Sequence, residues 1–135
     1  MKVAIRYYSR GGHTAKVAKA MAEAIGVEAL TTDQPLKEDV DILLLGSAVY
    51  AGKVDYRIQD FIAALDVKVG KVVNFSTAAM GKGTNKQVGK LLSEKGIALA
   101  DESFFCKGAF GPVNKGRPNE EDLKAAAEFA KGLAG

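Results

Sequence analysis

The sequence is poor in the residues that carry metal and covalent chemistry. Among 135 residues there is one histidine, His13, one cysteine, Cys106, and no tryptophan. A lone cysteine cannot close an intrachain disulfide, which agrees with a reducing compartment, and in an apolar strand Cys106 reads as a small filler. No spacing of His, Cys or carboxylates suits a metal, so histidine-metal and Cys-His catalysis are not expected. No apolar run approaches the ~20 residues that cross a bilayer. Met1-Lys2 leads straight into a strand pattern, without the apolar core and cleavage site of a signal peptide. The expectation is a cytoplasmic protein with no membrane partner. Excess charge of one sign is also small: 19 Lys and Arg against 16 Asp and Glu leave +3, with a pI of about 8.9. The cations (Lys16, Lys19, Lys53, Arg57, Lys68, Lys82, Lys86, Lys115, Arg117) are scattered without interleaved aromatics, which gives nucleic-acid binding little support. Disorder and low complexity are excluded by a chain that is 47% hydrophobic and 26% charged. Its length suits one domain, residues 1–135, with a substantial core.

What is present is an alternation of strand and helix patterns. Val3, Ala4, Ile5 and Tyr7 form an apolar first strand. Val17, Ala20, Met21, Ala24 and Ile25 recur at helical steps and predict a helix over 14–25, closed by Gly26. Val27 to Thr32 reads as a short second strand, suited to a sheet edge. The polar stretch from Asp33 to Val40 has room for one or two helical turns, so the second crossover is predicted to be degenerate. Asp41-Ile42-Leu43-Leu44-Leu45 is a continuous apolar run suited to a central parallel strand ending at Gly46-Ser47. A helix follows over 55–65, with Asp55 and Asp60 reading as solvated carboxylates. A fourth strand covers Lys71 to Ser76, and a helix runs from Thr84 to Lys95. The last strand lies between Ile97 and Lys107, with a bulge expected at Asp101-Glu102. Asn119 and Asp122 occupy the capping-box positions of a final helix. The pattern predicts an α/β fold with a parallel sheet flanked by helices.

Ser9-Arg10-Gly11-Gly12-His13-Thr14 joins the first strand to the first helix. Two glycines permit a sharp turn that exposes several N–H groups, Ser9 and Thr14 add hydroxyls, and the helix adds its positive end. Such a loop suits a phosphate, and Arg10 or His13 would add charge. The loop lacks the GxxxxGK[ST] lysine and the GxGxxG spacing, so a nucleoside triphosphate is not the first expectation. A glycine-rich turn with no ligand would use the same residues.

The loop resembles the phosphate loop of flavodoxins, which follows the pattern Ser/Thr-x-Thr-Gly-x-Thr. Ser9, Gly12 and Thr14 match, and Gly11 replaces a hydroxyl residue. The segment Ser47-Ala48-Val49-Tyr50-Ala51-Gly52-Lys53 is similar to the family's second flavin segment. Ser76-Thr77-Ala78-Ala79-Met80-Gly81 is similar to the third. The resemblance spans Lys2 to Leu133 and implies a flavodoxin-like three-layer sandwich with a five-stranded parallel sheet in the order 2-1-3-4-5. It implies flavin mononucleotide (FMN) as cofactor, bound beyond the carboxyl ends of the first, third and fourth strands. Tyr50 or Val49 would lie against the ring. No aromatic falls between Phe75 and Phe104, so the other ring face is left open or covered by Met80 or by the loop holding Phe110 and Asn114.

Two functional readings follow from the resemblance. The first is an electron carrier that exchanges electrons with a reductase and an acceptor protein through an exposed ring edge. The second is an FMN-dependent reductase of a quinone or similar aromatic acceptor stacked on the open ring face. A flavin-free binding module that keeps the fold is a third. With Arg10, Lys53, Arg57 and Lys82 near the expected ring, reduction should be easier than in acidic family members.

Overall fold

The computed structural model describes residues 1–9, 12–50, 53–78, 84–107 and 116–134, with the main chain alone at 48–50, 53 and 78. The elements run β1 (Val3–Tyr7), α1 (His13–Ile25), β2 (Ala29–Thr31), β3 (Val40–Tyr50), β4 (Lys53–Val54), α2 (Tyr56–Ala63), β5 (Val69–Ala78), α3 (Asn85–Glu94), β6 (Leu99–Lys107) and α4 (Glu120–Ala134). The parallel sheet has the order β2-β1-β3-β5-β6. With the two-residue β4 set aside, which pairs antiparallel with β3, this is the expected 2-1-3-4-5.

Strand parity divides the apolar run of β3 between two cores. Ile42 and Leu44 join Ile5, Val73 and Phe75 on the face covered by α1 and α4. Leu43 and Leu45 join Val72 on the opposite face, covered by α2 and α3. Each fully buried aliphatic of this kind contributes about 1.5–3 kcal/mol relative to an exposed one, so a central strand apolar on both faces is what the two layers require. On α4 the buried positions are Ala126 and Ala130, which leave room for Val17, Ala18 and Met21 of α1.

The second crossover contains no helix: residues 32–39 are turns and extended chain. Arg6 holds this connection against β1, its Nε donating to Gln34 O at 2.7 Å and its Nη2 to Pro35 O at 3.4 Å. Leu36 fills the space a helix would have covered. Burial pushes the Arg6 guanidinium below its ordinary range, with Glu28 opposing the shift. The Gln34 and Pro35 carbonyls depend on that cation for a partner.

Several expectations need correcting. β3 does not end at Gly46-Ser47 but continues to Tyr50, because Ser47 and Ala48 extend its ladder to Ser76 and Thr77 of β5, and Val49 and Tyr50 pair with Val54 and Lys53. The fourth expected strand likewise runs past Ser76, so Thr77 and Ala78 are strand, not loop. Asp55 is not a solvated carboxylate. It is buried at the N-cap of α2, where Oδ1 accepts from the Arg57 main chain at 2.9 Å and from Arg57 Nη1 at 3.2 Å. The bulge in β6 is present: two steps of β5 from Val72 to Asn74 face four of β6 from Leu99 to Ser103.

Candidate functional site

In a doubly wound sheet the strand exits at the order reversal leave a crevice, and here that reversal falls between β1 and β3. α1 begins in it. Gly12 caps the helix in a left-handed conformation at φ +88°; among the described residues no side chain caps its first turn, and no acid lies in that turn. The Gly12 N–H donates to Ser9 Oγ at 2.9 Å, which folds the loop back on itself. The first intrahelical bond runs from Lys16 N to Gly12 O, so the N–H groups before it point out of the helix end. A Cβ on Gly12 would meet nothing within 4 Å, so the conformation, not crowding, requires glycine. His13 Nδ1 is buried and has no partner among the described residues.

The Thr14 hydroxyl, expected among the phosphate donors, turns inward. It is fully buried, donates to Ser47 O at 3.3 Å and lies 2.9 Å from Thr77 Oγ1. Its single proton being used on the carbonyl, Thr77 is the donor of the second bond. On the other sheet face Ser47 Oγ lies 2.7 Å from Thr84 Oγ1, which accepts from Asn74 Nδ2 at 2.9 Å. The Thr84 main-chain N–H reaches Ser76 Oγ at 3.4 Å. Strand parity explains the division: Ser47 continues the Leu43, Leu45 face, and Thr77 continues the Val73, Phe75 face. Asn74 and Thr84 were missed in the sequence. The signal was an amide at an inward strand position beside Val72.

The structure thus brings Ser9, Gly12, His13 and Thr14 together with the ends of β3 and β5. It places Ser47, Ala48, Ser76, Thr77 and Ala78 in adjoining ladders and Val49, Tyr50 and Lys53 in a hairpin. Arg10, Gly11, Ala51, Gly52, Ala79, Met80 and Gly81 lie outside the described residues, as do Lys82, Phe110 and Asn114. Beside the site, the Arg57 guanidinium stands 4.5 Å from the ring centres of both Tyr8 and Tyr56. Arg57 also lines a separate cavity of about 440 Å³, between the second crossover and α2, to which no expected cofactor residue contributes.

Cys106 is buried in the α1–α4 core, and desolvation pushes its thiol up to about 11, with Asp122 adding to the shift and Arg117 opposing it. Such a thiol is inert. No group of three or more His, Cys, Asp or Glu is placed to hold a metal among the described residues. No described helix is long and apolar enough to cross a membrane.

A helix N-terminus at the switch point of a parallel sheet is, in α/β proteins, a place where a phosphate-bearing ligand can bind. Comparison with known proteins specifies the class further. Residues 4–111 match the family model described as a flavodoxin domain, and the chain belongs to that family. An uncharacterized protein of Methanocaldococcus jannaschii is 32% identical to it over 98% of both chains. Among solved structures, flavodoxin 1 of Bacillus cereus superposes with a TM-score of 0.71 at 20% identity, covering 96% of this chain and 95% of that one. A flavodoxin from the domain Archaea gives 0.73 at 16% identity, covering 99% and 96%. These likenesses establish the fold.

Flavodoxins bind FMN. The residues here fit its phosphate: a helix start with no acid in its first turn, open space at Gly12, and, among the described residues, no competing side-chain cap and no partner for the buried His13 Nδ1.

Proposed function

We propose that this protein binds FMN without a covalent bond and carries electrons between redox proteins. The observation that carries the reading is the α1 N-terminus, which has no side-chain cap bond among the described residues and is seated where the exits of β1, β3 and β5 adjoin. Main-chain N–H groups of the first turn, with Ser9, Arg10, Gly11, Gly12, His13 and Thr14 around them, would hold the phosphate. Ser47 to Lys53 and Ser76 to Gly81 would hold the ring. The bound flavin supplies the redox chemistry. The chain's own residues bind and orient it and set the local charge and hydrogen bonding.

The test is an absorbance spectrum of the protein mixed with excess FMN and desalted. Retention of the visible flavin bands at about one equivalent is expected. A colourless protein fraction would overturn the reading and favour a flavin-free module. Reduction of the loaded protein only through a reductase protein supports the carrier; turnover of a soluble quinone with NADH or NADPH alone would replace it with the quinone reductase.

A further inference from the structure

Resting on the FMN reading above, we propose that Thr84 is a positioning residue of the cofactor site, holding the strand exits in place without touching the ligand. Thr84 is the N-cap of α3, where a threonine ordinarily turns its hydroxyl onto the N–H groups of its own helix. Here that cap bond is absent. The hydroxyl, in a residue 1% exposed, is spent sideways on Ser47 of β3 at 2.7 Å and Asn74 of β5 at 2.9 Å. The main-chain N–H of Thr84 reaches β5 as well, at Ser76.

This choice links everything around the crevice. Ser47 is bonded through its hydroxyl to Thr84 and through its carbonyl to Thr14, and Thr14 is bonded in turn to Thr77. One hydrogen-bonded chain therefore runs from the first turn of α1, through the ends of β3 and β5, to the start of α3. All of its hydroxyls are buried. Asn74 Oδ1 has no partner among the described residues, and the bond its amide does make is the one from Nδ2 to Thr84. A ligand gripped at several strand exits binds tightly when those exits are ordered before it arrives, because ordering them on binding subtracts from affinity. Thr84 sits at the junction of the frame that does this, and its loss leaves Ser47 and Asn74 facing a methyl group.

The experiment titrates FMN and riboflavin, by quenching of flavin fluorescence, into wild-type protein, Thr84→Val and Thr84→Ser. Valine keeps the shape and deletes the hydroxyl; serine keeps the hydroxyl. Thr84→Val is expected to lose about tenfold in affinity for both flavins, the cost of leaving buried partners unpaired, while Thr84→Ser stays within about twofold of wild type. A purely structural role would lower the melting temperature and leave the affinity of folded protein unchanged. Wild-type affinity in Thr84→Val, an equal loss in Thr84→Ser, or a loss confined to FMN would overturn the proposal, the last by placing Thr84 in the phosphate cradle. Should Thr84→Val not fold, Asn74→Ala removes the other partner of the same hydroxyl, at a residue outside the segments assigned to the cofactor, and is expected to weaken both flavins alike; unchanged affinity there overturns it. Failure of wild-type protein to take up either flavin would sink the FMN reading itself and this inference with it.

Discussion

Gly46 and Phe75 face each other across β3 and β5, and the glycine exists for the ring. A Cβ at Gly46 would stand 2.3 Å from Phe75 Cζ and 2.4 Å from Cε2. Phe75 is fully buried among the side chains of α1 and α4, so its ring cannot swing into solvent to make room. Gly46→Ala is expected to lower stability by about 1–3 kcal/mol through this overpacking. Urea unfolding of the two proteins measures it, and an unchanged midpoint would show that the ring has another rotamer available. At this scale the sequence was only partly legible. Gly12 was readable as a turn glycine because a hydroxyl-rich loop and a helix flank it. Gly46 was not, since its partner lies 29 residues away and only the register identifies it. Thr14 read as a phosphate donor, and Ser47 and Thr77 as members of flavin-binding segments, because a hydroxyl that bonds a ligand and one that bonds a buried carbonyl are the same residue type. Following strand parity two residues past the apolar run would have turned Ser47 and Thr77 inward.

The elements were the most legible level, and α4 shows why. Its start was readable from Asn119 and Asp122, and the structure contains the reciprocal pair: Asn119 N donates to Asp122 Oδ2 at 2.8 Å and Asp122 N to Asn119 Oδ1 at 3.0 Å. Arg117, outside the helix, adds a bidentate bond to the same carboxylate, with Nε at 2.5 Å and Nη2 at 2.7 Å. The Arg117 bonds hold the Asp122 carboxyl below its usual range, with the Asn119 main chain acting in the same direction and burial against it. A depressed carboxyl stabilises the fold fully above its unfolded value, about 3.9, and that contribution is lost as pH falls through the lower folded value. Arg117→Gln should therefore lower the melting temperature at pH 7 and progressively less below about pH 4. Melting curves at both pH values check the sign; an equal deficit in acid would mean that Arg117 acts by packing. The strands were less legible at their ends than the helices. β3 gains Ala48 from its ladder with β5 and its last two residues from the pairing with β4, while β5 ends on a pairing with β6, contacts that no segment's own pattern contains.

At the scale of the whole molecule the informative quantity is charge. The net +3 favours the reduced, anionic form of a bound flavin over the oxidised one. Arg57 contributes less to this than its sequence position suggests, because its guanidinium is paired with Asp55 at 3.2 Å, and the pair presents little net charge at a distance. The effect therefore belongs to the summed field, and the summed field is what salt screens. Three charges at ~12 Å in water amount to about 1 kcal/mol, or tens of millivolts for one electron. The midpoint of the second electron is thus expected to fall by on the order of tens of millivolts between low and high ionic strength. In an acidic carrier the same titration moves it upward, because the screened field there opposes the anion. Potentiometry of the FMN-loaded protein at two salt concentrations reads the sign directly. A midpoint that rises with salt would mean that acidic groups dominate at the ring whatever the net charge, and the acceptor would then present a basic face in place of the acidic one that a cationic carrier requires.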